Sequence, residues 1–160
     1  MTVQEAVKQS KSGGLFSRRL IAYAQEQIRA DEDLICAAIV PVNCTILQGG
    51  DRTDYLYRMG NSYKIKAILC VTTKRMTFYN SFFHDDAFII DMPFCENPRL
   101  DVGTGMDRLG VGGMKIVNEK YSCFLSGNKK LMNHLKSGIM AAMMIYQDHF
   151  AQPTPEQITE

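Results

Sequence analysis

The chain is poor in several features that would each mark a class of protein. It has no apolar run long enough to cross a bilayer: the longest, residues 35–42 and 139–146, are eight residues each, and a spanning helix needs about 20. It has no excess of charge of either sign. Eighteen Lys and Arg face seventeen Asp and Glu for a net charge of +1, which argues for neither a nucleic-acid nor an acidic partner. It has no C-x-x-C, so a zinc ribbon or a thioredoxin-type redox centre lacks its ligands. The N-terminal stretch MTVQEAVKQSKSGG lacks the apolar segment of a secretory signal. Cys36, Cys44, Cys70, Cys95 and Cys123 are odd in number and scattered, most of them inside apolar runs, where a thiol behaves as a small hydrophobe. These absences predict a cytoplasmic protein without structural disulfides.

What remains is ordinary globular composition. Of 160 residues, 46 % are hydrophobic and 22 % charged, which excludes a wholly disordered chain and suits a single domain. Residues 1–14 are polar, end in Ser12-Gly13-Gly14, and read as a flexible arm. Residues 15–33 read as a helical extension. Over 15–30 an apolar face of Phe16, Leu20, Tyr23, Ala24 and Ile28 opposes Arg18, Arg19, Gln25 and Glu26. Asp31-Glu32-Asp33 opposes a helix dipole and so belongs to a turn beyond the helix.

Strand signals then follow in quick succession. Residues 34–45 form an apolar strand in which Pro41 requires an edge, a bulge or a bend. Residues 48–62 are an insertion, with a short extra strand at 55–59 as an option. Residues 63–72 alternate, with Ile65, Ala67, Leu69 and Val71 on one face and Lys64 and Lys66 on the other. Shorter strands are expected at 75–80, 87–93, 99–103, 113–118 and 121–125, the last two joined by the turn Asn118-Glu119-Lys120. A long helix runs from about 128 to 152, with Asn128 as its N-cap and Pro153 and Pro155 beyond its end. Leu131, Leu135, Ile139, Ala142, Met143 and Tyr146 form its stripe. Residues 153–160 read as a disordered tail. About seven strands with hairpin-length connections leave no room for crossover helices. The predicted fold is therefore α+β, mainly β: a bent antiparallel sheet or open barrel of about seven strands capped by the C-terminal helix, with an additional N-terminal amphipathic helix.

The segment Leu69-Cys70-Val71-Thr72-Thr73-Lys74-Arg75-Met76-Thr77-Phe78-Tyr79 resembles the signature of bacterial pleckstrin-homology-like domains. There an apolar strand ends in Thr, turns through a Lys-Arg pair and returns with an aromatic. The order of elements from 34 to 152 is similar to that family as well; the N-terminal helix and the 48–62 insertion lie outside the common core. The resemblance implies a seven-stranded, strongly bent sheet closed by a helix. It carries no catalytic residues and no cofactor. Relatives bind phosphoinositides or peptides, and some form oligomers. Fold alone does not assign a function.

Gly103-Thr104-Gly105 and Gly110-Val111-Gly112-Gly113 lack the third glycine of a dinucleotide loop and the Gly-Lys-Ser/Thr of a Walker loop; they read as hairpin glycines. His84, His134 and His149 lack metal spacing, and no metal site or catalytic residue is assigned. Arg52, Arg58, Lys64, Lys66, Lys74 and Arg75 form a candidate anion- or lipid-binding set. The resemblance matches Lys64 and Lys66, whereas the first strand has none of the basic residues that lipid-binding relatives place there. Met140 and Met144 fall off the buried stripe of the last helix, beside Lys136 and Gln147. With Phe16, Leu20 and Tyr23 they form a candidate partner interface, and the N-terminal helix or a second subunit is the expected cover. The sequence therefore predicts a non-enzymatic module that binds protein or itself. The alternative is peripheral attachment to anionic lipid head groups; nucleic acid is not expected.

Overall fold

The computed structural model describes residues 1–14, 17–47, 62–80, 88–101 and 111–151. The elements are α1 (Val3–Ser10), α2 (Arg18–Gln27), β1 (Leu34–Ile46), β2 (Ser62–Thr72), β3 (Arg75–Asn80), β4 (Phe88–Pro93), a 3-10 turn (Phe94–Glu96), β5 (Arg99–Asp101), β6 (Val111–Val117), β7 (Tyr121–Asn128) and α3 (Lys129–His149). The seven strands form one curled antiparallel sheet in the order β4-β3-β2-β1-β7-β6-β5. With α3 inside the curl and the N-terminal helices outside it, this is the α+β, mainly β, pleckstrin-homology-like architecture that the element order predicts. No helix among the described residues is long and apolar enough to cross a membrane. Residues 48–61, with the optional strand at 55–59, and the tail 153–160 lie outside the described residues.

Period-2 alternation sorts the side chains of the sheet. Ala38, Val40, Val42 and Cys44 of β1 point into the curl with Ile65, Ala67, Leu69 and Val71 of β2. Phe78, Ile90, Met114, Ile116 and Leu125 join them, and Met132, Leu135, Ile139 and Ala142 of α3 close the cluster. Asn128 caps α3 by accepting a hydrogen bond from the Leu131 amide at 2.8 Å. Gly138 lets the helix come close: a β-carbon there would collide with the Cys36 sulfur and lie 3.1 Å from its Cβ.

The opposite face of the sheet is also apolar over β1–β3. Ala37, Ile39, Ile68, Cys70 and Tyr79 form a second cluster with Val3, Ala6 and Val7 of α1 and Ala24 of α2. This corrects the reading of residues 1–14 as a flexible arm. Val3, Ala6, Val7 and Ser10 repeat at helical spacing and are buried. Thr2 and Glu5 form a capping box, the Glu5 amide donating to Thr2 Oγ1 at 3.2 Å and the Thr2 amide to Glu5 Oε2 at 2.9 Å. An isolated helix of this length is not stable in water, so its packing on β1 is what holds it. Its companion is shorter than the sequence suggests. α2 spans Arg18–Gln27, and Ile28 is already extended.

Pro41 proves to be an edge residue. The Ile39 amide donates to Ser12 Oγ at 2.9 Å and the Leu47 amide to the Lys120 carbonyl at 2.8 Å. Both therefore point away from β2, and Pro41 shares their parity. β7 pairs with β1 only from Val42 onward, so the donor that Pro41 lacks falls just before that ladder begins.

Candidate functional site

Among the described residues, the densest group of charged side chains lies where α2 ends, β1 begins and β2 turns into β3. Arg75, at the start of β3, lies against the outer face. Its Nη2 donates to Glu32 Oε1 at 2.9 Å and its Nε approaches both carboxylate oxygens at 3.2 and 3.1 Å. The same Nη2 also donates to the Gln27 carbonyl at 2.9 Å, closing the last turn of α2. Glu32 further accepts from Thr72 Oγ1 at 2.8 Å and from the Arg29 amide at 3.0 Å. Asp91 of β4 lies 3.5 Å from Arg75 Nη1 and accepts from Thr77 Oγ1 at 3.2 Å. Glu32 is 6 % and Arg75 7 % exposed. Burial alone pushes the Glu32 carboxyl up, but the hydrogen bonds from Arg75, the Arg29 amide and Thr72 outweigh it and hold the group below its usual range.

The Asp31-Glu32-Asp33 trio does lie beyond α2, yet its middle member is a buried ion-pair partner. Nothing in the spacing announced it, because the residues that complete it are some forty positions away. Lys74 is also engaged. Its Nζ lies 2.8 Å from Asp31 Oδ2 and 4.8 Å from the centre of the Phe150 ring. Two of the six residues in the basic set thus fasten the turn after α2 and the end of α3. Lys66 is exposed on β2, opposite Pro41. Six residues of strand, about 20 Å, separate it from Thr72 and the turn that follows. Lys64 is on the same strand, paired with Asn43; Arg52 and Arg58 lie outside the described residues. The basic residues that are described do not meet at one loop end.

The candidate partner interface divides in the same way. Leu20 and Tyr23 turn toward the sheet, where the Tyr23 ring meets Tyr79 edge-on at 5.8 Å and 78°; Phe16 lies outside the described residues. Met140 and Met144 stand on the solvent side of α3, 51 % and 66 % exposed. The exposed positions between and beside them are Ser137, Ala141, Gln147 and Asp148. α2 packs on β2 and β3 from the other side of the sheet, so it is not the cover that the sequence reading allowed for.

The other motifs resolve as packing where they are described. A β-carbon at Gly113 would lie 2.8 Å from the Phe124 ring, and one at Gly112 2.8 Å from Met132 Cγ; these glycines admit close neighbours. His84 and the Gly103-Thr104-Gly105 stretch lie outside the described residues. Among the described residues no three His, Cys, Asp or Glu side chains gather as a metal site would require. All five cysteines are free; Cys44 and Cys123 face each other across β1 and β7 with sulfurs 3.4 Å apart. No family model matches the chain, and no curated protein matches it.

Proposed function

We propose that this chain is a non-catalytic, pleckstrin-homology-like interaction module of the cytoplasm that binds protein, a second copy of itself included, through the solvent face of α3. The observation that carries this reading is the Met140–Met144 pair. The opposite stripe of the helix is spent on the core, and the N-terminal helices pack on the other face of the sheet, with α1 also touching α3, while Met140 and Met144 stay exposed. Two large, adaptable thioethers one helical turn apart, with Ser137 and Ala141 between and beside them, suit a contact surface. Membership of the pleckstrin-homology-like family is part of the proposal and is supported by the Thr72–Arg75 turn motif and the strand order. The head-group alternative is the weaker reading, because Arg75 and Lys74 already have carboxylate partners.

The test is sedimentation velocity over a range of concentrations. The wild type is expected to show an average mass rising above the 18.1 kDa monomer. Met140→Lys with Met144→Lys should hold it at the monomer mass without lowering its melting temperature. A wild type that stays monomeric throughout, or a double variant that associates as the wild type does, overturns the self-association.

A further inference from the structure

The N-terminal helices carry a feature that their packing does not use. Between their outer edges runs an open groove of about 830 Å³, within the size range of ligand sites. Val7 and Ile21 give it a recessed apolar floor and Ala22 an exposed apolar surface, and Lys8, Lys11 and Arg18 stand among its lining residues, none of which is acidic. Among the described residues none of these three cations makes an ion pair. Asp31 and Glu32 beyond α2 pair with Lys74 and Arg75, and residues 1–30 hold five Lys and Arg against two Glu, in a chain whose total is +1. One of the two, Glu5, is tied to the Thr2 amide.

The local rules of helix design run the wrong way here. Arg18 and Arg19 occupy the first turn of α2, where positive charge opposes the dipole. That turn has no acidic residue, and Ser17 spends its hydroxyl on the Gly14 carbonyl instead of capping the helix. Several positive groups around one concavity, of which only Lys8 has an acidic neighbour, Glu5 one turn back on α1, and none is held in an ion pair, mark a candidate functional surface.

We infer that the α1–α2 groove is a docking site for an acidic segment of a protein partner, one in which carboxylates alternate with apolar side chains. The rim cations take the carboxylates, and the recessed floor takes the apolar groups. A bilayer surface would meet the rim but not the floor. This site is separate from the α3 face and does not depend on it.

The test is fluorescence anisotropy with a labelled synthetic peptide of alternating Glu and Leu, alongside its Gln–Leu counterpart. Phosphatidylserine vesicles are assayed by co-sedimentation. The Glu–Leu peptide is expected to bind, to weaken as salt is raised, and to lose about tenfold in affinity in Lys8→Glu with Arg18→Glu, whose side chains are exposed. Met140→Lys with Met144→Lys should leave this binding unchanged. Absence of Glu–Leu binding, or equal binding of the Gln–Leu peptide, overturns the proposal. Vesicle pelleting that is lost in Lys8→Glu with Arg18→Glu while the peptide does not bind would assign the groove to lipid. Self-association lost in that variant would assign it to a second copy. Either result also overturns the acidic-segment reading.

Discussion

A guanidinium buried against a carboxylate cannot be removed without stranding its partner. Arg75→Met should therefore destabilise the fold by about 3–5 kcal/mol in urea titration, because Glu32 is left charged beneath α2. Adding Glu32→Leu should recover much of that loss; a double variant as weak as the single one would mean that the cost lies in lost packing. The same pair sets a pH dependence. The folded pKa of Glu32 lies below its ordinary 4.5, so the stabilisation is complete above that value and is lost as pH falls through the lower, folded one. Near-UV circular dichroism from the Tyr23–Tyr79 contact should hold steady from pH 7 to about pH 5 and collapse only in stronger acid. Glu32→Gln should flatten that acid limb. The thiols give a further contrast. Burial pushes Cys36 and Cys70 up to about 12, while Cys95 alone is exposed. Native protein should react with a thiol reagent at one sulfur, and denatured protein at all five.

At the scale of the element, alternation made the strands legible. Ile65, Ala67, Leu69 and Val71 could be placed on one face of β2 without any knowledge of the fold, and all four lie in the inner core. Asn128 could be identified as a cap because a long apolar stripe begins just after it. α1 was not legible in the same way. Eight residues make too short a period to stand out, and the surface that stabilises α1 belongs to β1, whose second apolar face looked like mere hydrophobicity. The Arg75–Glu32 pair was hidden for a related reason: turn position and charge sign predict solvent exposure, and only the fold brings the two turns together. Gly138 offers a test of close packing at this scale. Alanine favours a helix over glycine by about 1 kcal/mol, yet here its methyl group would run into the Cys36 sulfur. Gly138→Ala should lower the melting temperature, and Cys36→Ala should restore it in the double variant. A stabilising Gly138→Ala would show that α3 can shift away from β1.

Across the whole molecule, one sheet serves two cores. The inner cluster needs α3 and the outer cluster needs α1 and α2, so β1–β3 have no solvent face over much of their length. Removing residues 1–30 should expose Ile39, Ile68, Cys70 and Tyr79 together, a patch of the kind that drives association. Light scattering of the truncated protein is expected to show aggregation even though its inner core is intact; a truncated chain that stays monomeric and folded would show the outer layer to be dispensable. The candidate surfaces on α3 and in the α1–α2 groove could be approached from sequence only through residues that failed to fit a stripe, such as Met140 and Met144. Lys8, Lys11 and Arg18 gave no such signal, because their convergence requires α1, which the polar composition of residues 1–14 concealed.

The two-sided burial of β1 also changes what specifies its alignment. A strand with one polar face carries its register in its own alternation, since a slip by one residue would turn its apolar set toward water. Residues 36–40 of β1 are buried on both faces, so such a slip would exchange one apolar side chain for another at little penalty. Alternation resumes only from Pro41 to Ile46, so over the first half of the strand the information comes from fixed points outside it. The Ser12 hydroxyl receives one particular amide, that of Ile39. Pro41 refuses the ladder at one particular position, and Gly138 admits the Cys36 side chain at one place along α3. The first half of the strand is aligned as a key is, by a few notches, and the second by the pattern of its shaft.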